Sequence, residues 1–226
     1  MCKKKEKDMR EAMNQKRVEK HSKEIDKVYW EKILIKKIKK DRTIIKTLEN
    51  PSEAVQLAAV QQNWLAIQYL DDPSEAVQLA AVQQNWLAIQ YLDDPSETVQ
   101  LAAVQENWEA IEYLDDPSEA VQLAAVQQNR LAIKHVKNPS EKVQLAAVQK
   151  NWRSIEDLDD PSEAVQLVAI QQIWRAIKYI KDPTVEVLKF AFERKKEEER
   201  EAREAREKEE KKKNKISWKI FKWLWL

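Results

Sequence analysis

The chain has no glycine, and its seven prolines fall at residues 51, 73, 95, 117, 139, 161 and 183, one every 22 residues, with none elsewhere. Without glycine there can be no phosphate-cradling glycine loop and no nucleophile elbow, since both depend on its conformational freedom. A single cysteine, Cys2, rules out an intramolecular disulfide and makes a reducing compartment the simpler expectation. The two histidines, His21 and His135, have no Cys, His or acidic neighbours at ligand spacing, so neither a metal site nor acid–base catalysis is expected. No apolar run near the start reads as a secretory signal, and no stretch of about 18 apolar residues is available to span a bilayer. These absences predict a protein that is not an enzyme, with no cofactor and no small-molecule substrate, located in the cytoplasm or at a membrane periphery.

What is present is the period. A fixed repeat of this length marks a solenoid, in which each repeat buries its apolar face only by stacking on its neighbours. In the repeat that begins at Pro73, Asp72 is expected to cap a first helix, with Pro73 at the first helical position and Glu75 completing a capping box. That helix should run to about Gln84. Val77, Ala80 and Ala81 form one stripe, and Leu79 and Val82 widen the apolar arc, as expected of a helix sandwiched between others. Asn85 is the candidate turn, because Asn tolerates the left-handed conformation and also caps helices. A second short helix, about Trp86 to Leu92, should then direct Ala88, Ile89 and Leu92 to the core. The predicted fold is all-α, an α-solenoid of 22-residue helix-turn-helix repeats with a basic N-terminal arm and a charged C-terminal helix. Residues 1–28 are the arm, 29–50 a worn N-terminal capping repeat with Ile33, Ile38, Ile45 and Leu48, and 51–182 six full repeats. Residues 183–193 form a C-terminal cap in which Val187, Phe190 and Phe192 close the stack, followed by a single charged helix over 194–213 and a cationic, Trp-rich tail over 214–226.

The run Asn-Pro-Ser-Glu-x-Val-Gln-Leu-Ala-Ala-Val-x-x-Asn-x-x-Ala-Ile, from Asn50 and again from Asn138, resembles a short helical repeat of bacterial and phage proteins. It is distantly similar to leucine-rich-repeat variants. The resemblance implies the fold and says little about activity. Such repeats often place glycine after the Asn, where this chain has Trp64, Trp86, Trp108, Arg130, Trp152 and Trp174.

Charge is segregated. Residues 1–50 carry 17 Lys/Arg against 9 Asp/Glu, whereas residues 51–117 carry 12 acids and no Lys or Arg. Residues 118–183 are balanced, with 9 basic and 8 acidic residues, and residues 184–226 carry 14 against 10. An acidic array argues against nucleic acid as its ligand, and the basic arm is diluted by Glu6, Asp8, Glu11, Glu19 and Glu24. The Asp-Asp-Pro-Ser-Glu corners read as helix caps, since they lack the glycine-turned loop of a calcium site.

Equivalent positions of a solenoid line up in columns, so the diverged repeats show which columns face solvent. The column Leu65, Leu87, Glu109, Leu131, Arg153, Arg175 accepts either charge and is expected to be exposed, as is Tyr69, Tyr91, Tyr113, His135, Asp157, Tyr179. The Trp column admits Arg130 and is expected at an edge. The second helices of the first three repeats should therefore present Trp64, Leu65, Tyr69, Trp86, Leu87, Tyr91, Trp108 and Tyr113 amid acids. One reading makes this a patch for a protein or peptide partner; the other has the rings stacking along the spine. The Gln56 to Gln166 series and the Gln61 to Gln171 series are expected to form amide ladders between neighbouring repeats.

The tail Asn214–Leu226 combines Lys215, Lys219 and Lys222 with Ile216, Trp218, Ile220, Phe221, Trp223 and Trp225, an interfacial pattern too short to span a bilayer. It is expected either to engage the acidic, aromatic face of its own or another copy's array, giving a homo-oligomer, or to lie on an anionic membrane.

Overall fold

The structure, a computed structural model, describes residue 24 and residues 26–225, with side chains as far as Trp218. The arm residues 1–23 and 25 lie outside the described residues. The chain divides into two compact units, Met1–Asp115 and Asp116–Leu226. The first holds helix α1 (residues 26–40), the 3-10 helix η1 (Arg42–Thr47), and then three alternating pairs: α2 (Glu53–Gln62), η2 (Trp64–Tyr69), α3 (Glu75–Gln84), η3 (Trp86–Tyr91), α4 (Glu97–Glu106) and η4 (Trp108–Tyr113). The second holds α5 (Glu119–Gln128), η5 (Arg130–His135), α6 (Glu141–Lys150), η6 (Trp152–Asp157), α7 (Glu163–Gln172), η7 (Trp174–Tyr179) and the long α8 (Val185–Trp225). Among the described residues there is no strand, and within each unit consecutive hairpins pack in series as a short α-solenoid.

The core is made of columns. Val77, Ala81 and Val82 of α3 are fully buried with Ala88 and Ile89 of η3, and the same five positions recur in the repeats on either side. The small alanine column lets helices approach toward the near end of the usual 8–10 Å separation, about the advance per repeat. Leu79 and Ala80 are only half-buried, so the stripe is narrower than expected.

Each repeat starts two residues later than its sequence suggests. Ser74, not Asp72, is the N-cap of α3, Glu75 is its first residue, and Pro73 precedes both. Asp72 instead has φ 43°, in the left-handed region, as do Asn50, Asp94 and Asn138. Proline disfavours the right-handed helical conformation in the residue before it, and in a chain without glycine Asp and Asn are the residues that tolerate φ > 0. Asp94→Gly should therefore raise stability by up to about 1 kcal/mol and Asp94→Val lower it by about 1–2 kcal/mol. Urea midpoints of the two variants that coincide would contradict this account of the corner.

The second helix of every repeat is a 3-10 helix, not the α-helix expected. Six residues must lead the chain back alongside a ten-residue α-helix, and a 3-10 helix rises about 2.0 Å per residue against 1.5 Å. Asn85 does not turn left-handed but stays extended, and its Oδ1 accepts from the Leu87 amide at 3.0 Å, capping η3. Asn63 and Asn107 cap η2 and η4 in the same way. Asp41 does so for η1, accepting from the amide (2.9 Å) and hydroxyl (2.6 Å) of Thr43, and those bonds hold its carboxyl below the usual carboxylate range.

The glutamine ladders do not form. Gln78 Nε2 donates to the Pro73 carbonyl of its own corner at 2.8 Å, and Gln56, Gln100, Gln122, Gln144 and Gln166 repeat that bond. The Gln61 to Gln171 series is exposed. The bond that recurs between repeats comes instead from the Ser-Glu pair: Ser74 Oγ donates to Glu53 at 2.5 Å, and Ser96 to Glu75 at 2.6 Å. Ser140 to Glu119, Ser162 to Glu141 and Thr184 to Glu163 continue the series in the second unit.

At the end of the second unit Val187 and Ala191 are buried in the columns of Val165 and Ala169, but Phe192, expected to close the stack, is 57% exposed. Phe192 occupies the column of the fully buried Ile170, a position that only a following helix would cover. No corner interrupts α8, and its Glu, Lys, Arg and Ala residues favour continuation, with pairs such as Lys195–Glu199 and Glu209–Lys213 one turn apart.

Candidate partner-binding face

The outward side of η2, η3 and η4 follows from which of their side chains are buried. Ala66 and Ile67, with their counterparts Ala88, Ile89, Ala110 and Ile111, point inward. Positions 65, 68 and 69 and their counterparts are left toward solvent. Tyr69, Tyr91 and Tyr113 are 39%, 41% and 44% exposed, while Leu65, Leu87 and Glu109 are half-buried rather than fully exposed. Trp64, Trp86 and Trp108 are half-buried as well.

The Trp and Tyr columns are joined diagonally. Trp64 packs on Tyr91 of the next repeat with ring centroids 6.3 Å apart, and Trp86 on Tyr113 at 6.2 Å. The rings therefore stack between repeats, and the tyrosines remain the most open part of the row. In the second unit Trp152 and Tyr179 repeat the pair at 5.7 Å. Arg130, the one departure from Trp, faces Asp157 at 3.5 Å, and Lys134 approaches the same carboxylate at 3.5 Å. The two departures lie 27 residues apart, the spacing of every Trp–Tyr pair. That joint change was visible in the sequence and is the signal by which the contact could have been found.

Tyr69 has no tryptophan before it and receives Lys46 Nζ at 4.3 Å from its ring centre. Within the first unit, then, one tyrosine of the row already holds an ammonium by a cation–π contact. Two and three residues beyond each tyrosine lie the exposed pairs Asp71 and Asp72, Asp93 and Asp94, and Asp115 and Asp116. The row is aromatic along its middle and acidic along its rim. In the second unit Glu119, the counterpart of Glu53, Glu75 and Glu97, is bound by Lys142 Nζ at 2.9 Å and by the Ser140 hydroxyl, which hold its carboxyl below the usual range.

Of the tail residues, Trp218 is 66% exposed on α8. The side chains of Lys219, Phe221, Lys222, Trp223 and Trp225 lie outside the described residues. Among the described residues no three His, Cys, Asp or Glu side chains gather where they could hold a metal ion, and no helix is long and apolar enough to cross a membrane. No family model matches the chain, and no curated protein or solved structure matches it significantly.

Proposed function

We propose that the chain is a non-enzymatic helical-repeat scaffold that binds a cationic, amphipathic protein segment on the outer face of η2–η4. The observation that carries this reading is the open tyrosine row Tyr69, Tyr91 and Tyr113, rimmed by paired aspartates in a stretch with 12 acids and no Lys or Arg. Aromatic side chains supply contact area at low entropic cost, and a surface of one sign steers an oppositely charged partner. Trp64 and Trp86 pack against Tyr91 and Tyr113 of the row, Trp108 stands half-buried beside it in sequence, and Leu65 and Leu87 add aliphatic contact.

The test is the double variant Leu87→Glu/Tyr91→Glu, titrated with a fluorescent peptide of residues 211–226. Glu109 and Asp157 already stand in these two columns, so the variant has precedent for folding. Binding at least tenfold weaker than that of the parent, and falling with salt, is expected. Equal binding by both proteins would end the proposal.

A second reading is peripheral membrane attachment through the tail, favoured by the exposed Ile216 and Trp218 beside Lys211, Lys212, Lys213 and Lys215.

A further inference from the structure

We infer that the occupant of the tyrosine row is the C-terminal end of α8 from a second copy of this chain, so that copies join tail to face. This rests on the reading of the face given above and names its partner.

Charge complementarity is the first ground. Residues 211–226 carry six lysines and no acid, and residues 51–117 carry no base. Each stretch is the other's opposite, and both belong to one chain.

The second ground is spacing. Successive repeats advance by about 8–10 Å, the distance between packed helices, so Tyr69, Tyr91 and Tyr113 recur at that interval. Lys215 and Lys222 are seven residues apart on a helix that runs unbroken to Trp225, which separates them by about 10.5 Å along its axis. A helix laid along the row thus brings lysines past successive tyrosines, as Lys46 already meets Tyr69 from within. Tyr91 and Tyr113 are the rings left for the incoming lysines, with Trp218 one turn from each lysine to cover apolar surface beside them.

The third ground is delivery. From Lys196 to Trp218 every residue of α8 is exposed, a bare helix about 35 Å long that contains neither glycine nor proline. Arg175–Glu198, at 2.9 Å, is the last ion pair tying it to the repeats of its own unit among the described residues. Such an arm holds its end away from the repeats it grows from and presents it to a neighbour. The contact joins two different surfaces, so it is heterologous and extends to chains of copies.

The experiment uses the full chain and two variants: Lys215→Glu/Trp218→Glu/Lys222→Glu in the tail, and Tyr91→Glu/Tyr113→Glu in the face. Sedimentation should show the parent growing in mass with concentration, each variant alone remaining monomeric, and an equimolar mixture forming heterodimers, because one defective tail and one defective face still leave one intact junction. Thermal unfolding of each variant confirms that it is folded. Self-association of either variant to the parent's extent would overturn the inference. So would a parent that is monomeric throughout, with tail-dependent pelleting on vesicles of phosphatidylserine and phosphatidylcholine, which would assign the tail to membrane. A monomeric parent whose face still binds the 211–226 peptide would remove the second copy and keep the face. Failure of that peptide to bind would remove the face itself.

Discussion

Replacing Ile89 by alanine should lower the unfolding free energy by about 3 kcal/mol, within the 2–5 kcal/mol typical of a buried isoleucine truncated in a rigid core. Ile89 is 1% exposed and belongs to a column in which Ile67, Ile111, Ile133 and Ile155 are equally enclosed. Its surroundings have little freedom to fill the gap. The buried residues of its repeat are Val77, Ala81, Val82 and Ala88, short or β-branched side chains with little reach to fill a gap, and η3 is held at one end by the Asn85 cap and at the other by the Leu92 amide donating to the Ile89 carbonyl. A solenoid adds a further effect, because an interior repeat contributes to two interfaces and its loosening weakens both. The half-buried Ile177 provides the contrast, and Ile177→Ala should cost about half as much. Urea unfolding followed by circular dichroism measures both, and equal losses would show that the enclosure of Ile89 carries no special weight.

The second large effect concerns Arg130 and Asp157. Arg130→Trp or Asp157→Tyr alone should each destabilise the second unit by about 1–2 kcal/mol, whereas the double variant should return close to the parent. The Asp157 side chain is only 17% exposed and its carboxylate faces both Arg130 and Lys134, so losing the arginine leaves a partly desolvated charge with one partner. Restoring both aromatics recreates the diagonal contact seen between Trp152 and Tyr179. A double-mutant cycle isolates the coupling, expected at about 1 kcal/mol or more. Additive losses would mean that the joint departure at positions 130 and 157 is coincidence.

These contacts show how far the sequence could be read. The proline period and the Val, Ala and Ile columns announce a solenoid because stacking alone can bury them, and of the columns that admit charge the tyrosines lie open while Leu65, Leu87, Glu109 and Asp157 are half-buried. The start of each α-helix was harder to read for a physical reason. Asp72-Pro73-Ser74-Glu75 contains two capping residues two positions apart, with about 1 kcal/mol at stake at either, so local chemistry cannot choose between them. The choice falls to the path of the chain, which at Asn50, Asp72, Asp94 and Asn138 places a left-handed residue before the proline. Gln78 likewise had two carbonyl or amide partners within reach of its chemistry, and only the fold brings its own corner closer than the neighbouring glutamine. The face was legible as composition, since Trp, Leu and Tyr recur amid acids. The division of labour within it, with Trp supporting and Tyr presenting, depends on a diagonal contact that no single repeat contains.

Within each unit, the serine-to-glutamate bond between consecutive repeats spans 21 residues wherever it occurs, and it uses one group from each side. Whole repeats can therefore be gained or lost without leaving a donor or acceptor stranded, because the flanking serine and glutamate simply find new mates. Residues Pro51–Asp71 and Pro73–Asp93, identical throughout, look like the product of such an event. The number of tyrosines in the row is then a heritable variable of its own, adjustable by slippage during replication, and with it the length of the aromatic face.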